Sequence, residues 1–288
     1  MAEWKLIIHG GAKEIAPEEE ADNRDGLAEA IEAGRTILAD GGSALDAVEA
    51  AVRVMERLPV FNAGRGSDPT VDGRIEMCSA IMDGASLDMG GVMAIEEVCH
   101  PVSVAKALLR ERHVLLVGEG ATRFARDIGA ELCDLAELKT ADPLEEEMAE
   151  SHDTVGAVAL DGNGDYAAAT STGGLSGQLP GRAGDSAMPG CGFYAENGVG
   201  AVALSGHGEN IARLRLASKI MHSLNGLGPQ RAIFDAVSQM KRLGGDAGGI
   251  AIDAQGRIGW AHNSRHFAVA SITEGDNSPG LWLRKPDQ

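Results

Sequence analysis

The apolar positions of this chain switch between two periods. Residues 5–8 form a short apolar run closed by His9-Gly10-Gly11, which reads as a strand. Over residues 24–40, Leu27, Ile31 and Leu38 recur at helical spacing, up to Gly41-Gly42. Ser43 is placed to cap a second helix with Asp46 three residues on; its stripe is Leu45, Val48, Val52 and Met55, and Pro59 ends it. Residues 74–82 and 90–98 read as two strands paired about Asp83-Gly84. Pro101 opens a helix through Val104 and Leu109, residues 113–117 return to strand, and Gly118-Glu119-Gly120 leads into another helix.

The pattern then breaks at an acidic run, residues 134–153, which reads as a flexible solvated linker. Beyond it the period is two. Residues 154–161 and 166–172 are strands, joined by the hairpin signal Asp161-Gly162-Asn163-Gly164-Asp165. A Gly- and Pro-rich loop fills 173–194, and residues 198–204 form a strand ending in Ser205-Gly206-His207-Gly208. Two helices over 209–225 and 229–243 follow, then strands at 248–253, 258–261 and 267–272, and a polar tail from Glu274 that reads as loose. Helices in pairs between groups of strands, in both halves, predict two stacked sheets with helices on both outer faces.

Composition narrows the function. The chain has 288 residues, 44% hydrophobic, with only 3% aromatic and 39 glycines, so small side chains do much of the packing. A net charge of −18 argues against nucleic-acid or anionic-membrane partners and favours a small-molecule substrate. The first nine residues read as a strand rather than a signal peptide, and no apolar run approaches membrane-spanning length. Cys78, Cys99, Cys133 and Cys191 lie far apart without a Cys-x-x-Cys, and are expected to be free thiols in a reducing, cytoplasmic setting.

Three hydroxyls mark strand ends: Thr154, Thr172 and Ser205. Glycines beside them would let a ligand reach backbone N–H groups, as an acyl-transfer site needs around a developing oxyanion. Thr154 follows Asp153; cutting that bond would give one residue both a hydroxyl and a free α-amine, a nucleophile carrying its own base. Read alone, Thr154 is equally a β-branched residue opening a strand. Arg182 and Asp185, three apart in a glycine loop, could clamp an α-carboxylate and an α-ammonium, or simply pair with each other. His262 and His266 are four apart but straddle an apparent turn, which argues against a metal site.

Taken together, these stretches resemble the plant-type L-asparaginases, or isoaspartyl peptidases, of the N-terminal-nucleophile hydrolases. The resemblance rests on His9-Gly10-Gly11-Ala12, Phe61-Asn62-Ala63-Gly64, Ile81-Met82-Asp83-Gly84, residues 116–120, 153–161 and 169–174, Pro180-Gly181-Arg182-Ala183-Gly184-Asp185-Ser186, and Ser205-Gly206-His207-Gly208-Glu209, in the family's order along almost the whole chain. It implies an α/β fold: a single four-layer αββα domain of two mainly antiparallel sheets. It also implies autocleavage between Asp153 and Thr154, giving an α subunit (1–153) and a β subunit (154–288) assembled as an (αβ)2 dimer of heterodimers. Thr154 would be the nucleophile, with Thr172 helping to activate it. The Ser205 hydroxyl and Gly206 N–H would form the oxyanion hole. Arg182 would bind the substrate α-carboxylate; Asp185 and the Gly208 carbonyl would bind its α-ammonium, with Asn62 near the nucleophile. Main-chain carbonyls of Leu58, Phe61 and Ala63 would hold a structural sodium ion, and no organic cofactor is implied. The implied reactions are hydrolysis of L-asparagine and of β-aspartyl dipeptides.

The chain departs from the family pattern at Ser205, where threonine is usual; at Cys78, where an acidic residue is usual; and over 263–267, where a Gly-containing loop typically borders the substrate mouth. The rival readings are a glycosylasparaginase, which shares the His-Asp-Thr stretch at 152–154, and a non-catalytic scaffold of the same fold.

Overall fold

The computed structural model describes residues 2–138 and 153–284. In chain order the elements are β1 (Lys5–His9), α1 (Glu20–Ala39), α2 (Ala44–Arg57), β2 (Met77–Asp83), β3 (Met89–Ile95), α3 (Pro101–Ala107), β4 (Leu115–Val117), α4 (Glu119–Asp127) and α5 (Leu135–Leu138). The second half continues with β5 (Val155–Leu160), β6 (Tyr166–Thr172), β7 (Phe193–Glu196), β8 (Gly200–Gly206), α6 (Gly208–Leu214), α7 (Leu216–Leu227), α8 (Pro229–Val237), β9 (Ala247–Asp253), β10 (Ile258–His262), β11 (Val269–Thr273) and β12 (Gly280–Trp282).

Eight strands form one sheet in the order β12-β11-β1-β5-β6-β2-β3-β4, and four form a second, β10-β9-β8-β7. Neighbouring strands pair antiparallel except β3 and β4, which run parallel. Alternation along each strand explains the stacking. Leu6 and Ile8 of β1, with Val155, Ala157 and Ala159 of β5, enter a core shared with α1, α2 and α3. Ile7, Val158 and Leu160 point the other way, meeting Phe193, Ala203, Ile250 and Ile252 of the smaller sheet. Val202, Leu204 and Ala251 then face α7 and α8. The central strands β1 and β5 are therefore apolar on both faces, and the order is helix, sheet, sheet, helix, as expected. Between the sheets, alanines such as Ala80, Ala168, Ala201 and Ala203 interleave with larger side chains such as Phe193, Ile250 and Phe267.

Several expectations need correction. Cys99 and Cys133 are joined by a disulfide, leaving only Cys78 and Cys191 as free thiols. The bond clips the chain after β3 to the segment between α4 and α5, where Val98 and Leu132 already form a bridge. The acidic run is not all linker: residues 135–138 are helical, and Leu138 is buried against the core. Residues 139–152 lie outside the described residues. The tail is not loose, since β12 pairs with β11 and Trp282 packs on Trp260 with ring centres 5.8 Å apart. The first turn of α1 is polar, so periodicity missed its start. The helix expected at 209–225 breaks at Arg215, whose φ is +52°. The break frees the Ala217 and Ser218 N–H groups to bond the carbonyls of Cys191 and Gly190.

Candidate active site

Strand register assembles the site. Residue 154 enters β5 near the centre of the large sheet, where Val155 pairs with Ser171 and Gly156 with His9. The head of β5 thus lies beside the ends of β1 and β6, and the end of β8 faces it from the other sheet. Thr154, Thr172, Ser205 and the His9-Gly10-Gly11 turn, spread over 197 residues of sequence (9 to 205), converge there.

The contacts are specific. Thr172 Oγ1 donates to the Asp153 carbonyl at 2.8 Å and accepts the Gly174 N–H at 3.1 Å. Ser205 Oγ accepts the Thr154 N–H at 3.2 Å and the Ala12 N–H at 3.0 Å. Thr154 Oγ1 lies 3.2 Å from Ser186 Oγ, and Thr170 Oγ1 fixes the Ser186 carbonyl at 2.5 Å. Thr154, Thr172 and Ser205 are all buried. Gly206, next to Ser205, has φ +140°, and a Cβ there would lie 2.3 Å from the Asp246 carbonyl, so only glycine fits.

Arg182 and Asp185 reach the same cavity but do not pair as a loop-internal bridge. Arg182 instead forks onto Glu209, its Nε and Nη2 each 2.9 Å from a carboxylate oxygen, a planar two-point grip. Asp185 is buried against glycines 192 and 208, where a Cβ would lie 2.8 Å from its oxygens. Burial pushes its carboxyl up to about 7, against the pull of its own backbone and of Arg182. Burial likewise lowers His9 to about 3, so its ring is neutral beside the Thr154 backbone. Asn62 lies one step back. Its Nδ2 donates to Asp68 at 2.6 Å and to the Gly174 carbonyl at 3.0 Å, and its own carbonyl accepts the Gly173 N–H, so it fixes the turn that follows Thr172. Gly208 opens α6 at the cavity wall.

The cavity itself, lined by Asp153, Thr154, Thr172, Arg182, Asp185, Ser186, Gly206 and Gly208 among others, is about 10 Å³, room for about one water. Larger hollows exist on the surface; one of about 420 Å³ is lined by Arg74, Glu96, Cys133 and Leu138. It gathers no set of hydroxyls and backbone donors, so size does not locate the chemistry here. Among the described residues no cluster of three or more His, Cys, Asp or Glu side chains is set to hold a metal. No described helix is long and apolar enough to cross a membrane.

Sequence reasoning did not assign roles to Lys13, Ser186 or Glu209. Ser186 and Glu209 lay inside stretches already singled out, and their chemistry could have flagged them. Lys13 carried no signal of its own.

Comparison with known proteins agrees with this geometry. The family model described as "Asparaginase" matches residues 2–151 and 136–280. An isoaspartyl peptidase/L-asparaginase of Danio rerio is 38% identical over 96% of this chain and 94% of its own length. That of Xenopus laevis is 41% identical over 96% and 94%. A plant-type L-asparaginase of Pyrobaculum calidifontis is 40% identical over 91% and 95%. Matches of this extent, over a chain whose strand ends gather threonine, serine and glycine around one buried peptide bond, place it in the asparaginase family.

Proposed function

We propose that the chain is a hydrolase that cuts itself between Asp153 and Thr154 and then splits the side-chain amide of L-asparagine and the isopeptide bond of β-aspartyl dipeptides. The observation that supports this best is the setting of that one bond. Its carbonyl accepts a hydrogen bond from Thr172, its N–H is held by Ser205, and the Thr154 hydroxyl meets Ser186.

In the self-cleavage step, Thr154 Oγ bonds to the Asp153 carbonyl carbon and the C–N bond breaks. The hydroxyl proton passes to the departing nitrogen, and one water hydrolyses the resulting ester. Thr154 then carries a free amine that serves as its base. In turnover the same hydroxyl attacks the β-carbonyl of substrate and gives its proton to the α-amine, which passes it to the departing nitrogen; the C–N bond breaks, ammonia or the second amino acid leaves, and water hydrolyses the β-aspartyl ester. Ser205 Oγ and the Gly206 N–H face the oxyanion. Arg182 keeps donors beyond those held by Glu209 for the substrate α-carboxylate. A bound α-ammonium draws Asp185 back to its carboxylate form, as an opposite charge does.

The carbonyls of Leu58, Phe61 and Ala63 suit a small hard cation, which oxygen ligands prefer. Each accepts one turn N–H, at 3.2, 2.9 and 3.3 Å, from Phe61, Ala63 and Gly66, and a carbonyl has a second lone pair to offer. A sodium ion there would brace the loop. The (αβ)2 assembly rests on the family resemblance alone; the cytoplasmic location rests on the expectation of four free thiols, and the Cys99–Cys133 bond runs against a reducing compartment.

The test is a purified wild-type sample on a denaturing gel, then a substrate panel. The expected fragments are residues 1–153 and 154–288. L-asparagine and β-linked Asp-Leu should be hydrolysed; α-linked Asp-Leu should not, because its α-carboxylate is consumed in the bond and leaves Arg182 without that partner, and L-glutamine should not, because one extra methylene displaces the carbonyl by roughly 1 Å, enough to cost about 10²-fold. A chain that stays whole yet hydrolyses substrate would overturn the mechanism; a processed chain that cuts neither β-linked compound would overturn the substrate.

A further inference from the structure

Lys13 stands just after the His9–Ala12 turn. Its Nζ lies 2.8 Å from Asp153 Oδ2 and 2.8 Å from the Val60 carbonyl, and the two side chains are only 13% and 1% exposed. The Asp153 carboxylate is pressed onto Gly11, where a Cβ would fall 1.2 Å from Oδ1. With φ +113°, Gly11 is a position that an L side chain rarely occupies in any case. Asp153 is therefore gripped at two points: its carbonyl oxygen by Thr172, its carboxylate by Lys13. Two anchors fix rotation about its Cα, and with it the face of the carbonyl presented to Thr154.

We propose that Lys13 is a positioning residue for cleavage of the Asp153–Thr154 bond, acting through the Asp153 carboxylate. This rests on the reading of Thr154 as a self-cleaving nucleophile. Lys13 touches neither the attacking hydroxyl nor the carbonyl; it holds the residue that carries the carbonyl. Its charge matters as well as its reach. Burial pushes the Asp153 carboxyl up, Lys13 opposes this, and Glu19 adds to the rise. The neighbouring His9 ring is neutral and supplies no countercharge. Without the ammonium nothing opposes that rise, and the carboxylate loses the contact that anchors it beside the Gly11 turn.

The test follows cleavage of freshly translated chains by denaturing gel, with thermal melting as the check on folding. Lys13→Met should slow cleavage by about 10- to 10²-fold, the scale of a misplacement of roughly 1 Å. In an Asp153→Asn background the same change should have less than about a twofold effect, because the group it acts through is already gone. Lys13→Ala should regain part of its rate in methylammonium, but not in tetramethylammonium, which has no N–H to donate. If Lys13→Met does not fold, or Asp153→Asn does not cleave, the methylammonium arm decides alone. Wild-type cleavage matched by Lys13→Met, equal slowing in both backgrounds, or no rescue by methylammonium would each overturn the role given to Lys13. A wild-type chain that never cleaves would overturn the Thr154 reading as well, and so separates the two failures.

Discussion

Ser171 and Thr172 are neighbours on β6, and they open onto two buried polar clusters of opposite character. Ser171 faces the helices. Its hydroxyl donates to Glu56 Oε1 at 2.7 Å, the Val102 N–H donates to the same oxygen at 2.9 Å, and His100 Nδ1 lies 3.3 Å from Oε2. Burial raises the Glu56 carboxyl, and His100, Ser171 and Val102 pull it back. Thr172 faces the cavity. There Asp185 Oδ2 has no hydrogen-bond partner among the described residues, the Asp153 carboxylate meets the Lys13 ammonium, and the Thr154 hydroxyl meets that of Ser186. A fully satisfied buried network holds elements together; an under-satisfied one costs stability and is kept where chemistry needs free valences. The two clusters share a strand, so substitutions can separate stability from function cleanly.

The largest expected effect is at Thr154. Thr154→Ala should leave one uncut chain and lower hydrolysis by about 10⁴-fold or more, the scale seen when a nucleophile is removed. Its melting temperature should stay within a few degrees of wild type. Gel and ammonia release check the first part, and a melting curve the second. A large loss of stability would mean that Thr154 belongs with the structural cluster.

Glu56→Ala should do the reverse. It orphans the Ser171 hydroxyl, the Val102 N–H and His100 at once, and should cost about 3 kcal/mol of stability. Urea denaturation measures that. Cleavage per folded molecule should change little, since Glu56 lies across the sheet from Thr154. A slow-cleaving, fully stable variant would show that the two faces of β6 are coupled.

Asp185→Asn gives the smallest expected loss of the three and sharpens the contrast. The folded carboxyl, raised from 3.8 to about 7, holds its proton more tightly than the unfolded one. Its ionisation therefore destabilises the fold progressively as pH rises from about 4 through 7. At 1.36 kcal/mol per unit, the ceiling is about 4 kcal/mol. Asp185→Asn should thus be more stable than wild type at pH 8, by up to about 4 kcal/mol, and equal to it near pH 4. The same variant should bind β-aspartyl substrates less tightly, the trade that functional groups commonly show. Parallel melts at the two pH values, with KM at pH 8, decide it. Equal melting at both would mean that burial does not strain Asp185.

Much of the fold was legible in the residues. The apolar runs of β1, β5 and β8 showed strands, the stripe of Leu45, Val48, Val52 and Met55 showed a helix, and the hairpin at 161–165 set its own register. Thr154, Thr172, Ser205, Arg182 and Asp185 were picked out by type and position, and all line or border one cavity. Less legible were β7 and β12, short strands whose existence depends on a partner, and the polar first turn of α1. The disulfide was misjudged because Cys99 and Cys133, 34 residues apart, are brought together only by packing of α4 beside β3. Arg182 paired with Glu209 rather than with Asp185 because α6 delivers a carboxylate that no spacing argument could place.

By itself, the sequence determined the local periods, the turns and the set of groups able to do acyl transfer, because propensity and side-chain chemistry are properties of short stretches. The tertiary structure alone decided which hydroxyl meets which carbonyl, that Asp185 is buried enough to hold its proton near neutrality, and that Lys13 reaches Asp153 across 140 residues of chain (13 to 153). Those depend on strand register and on desolvation, which arise only when distant segments exclude water from one another.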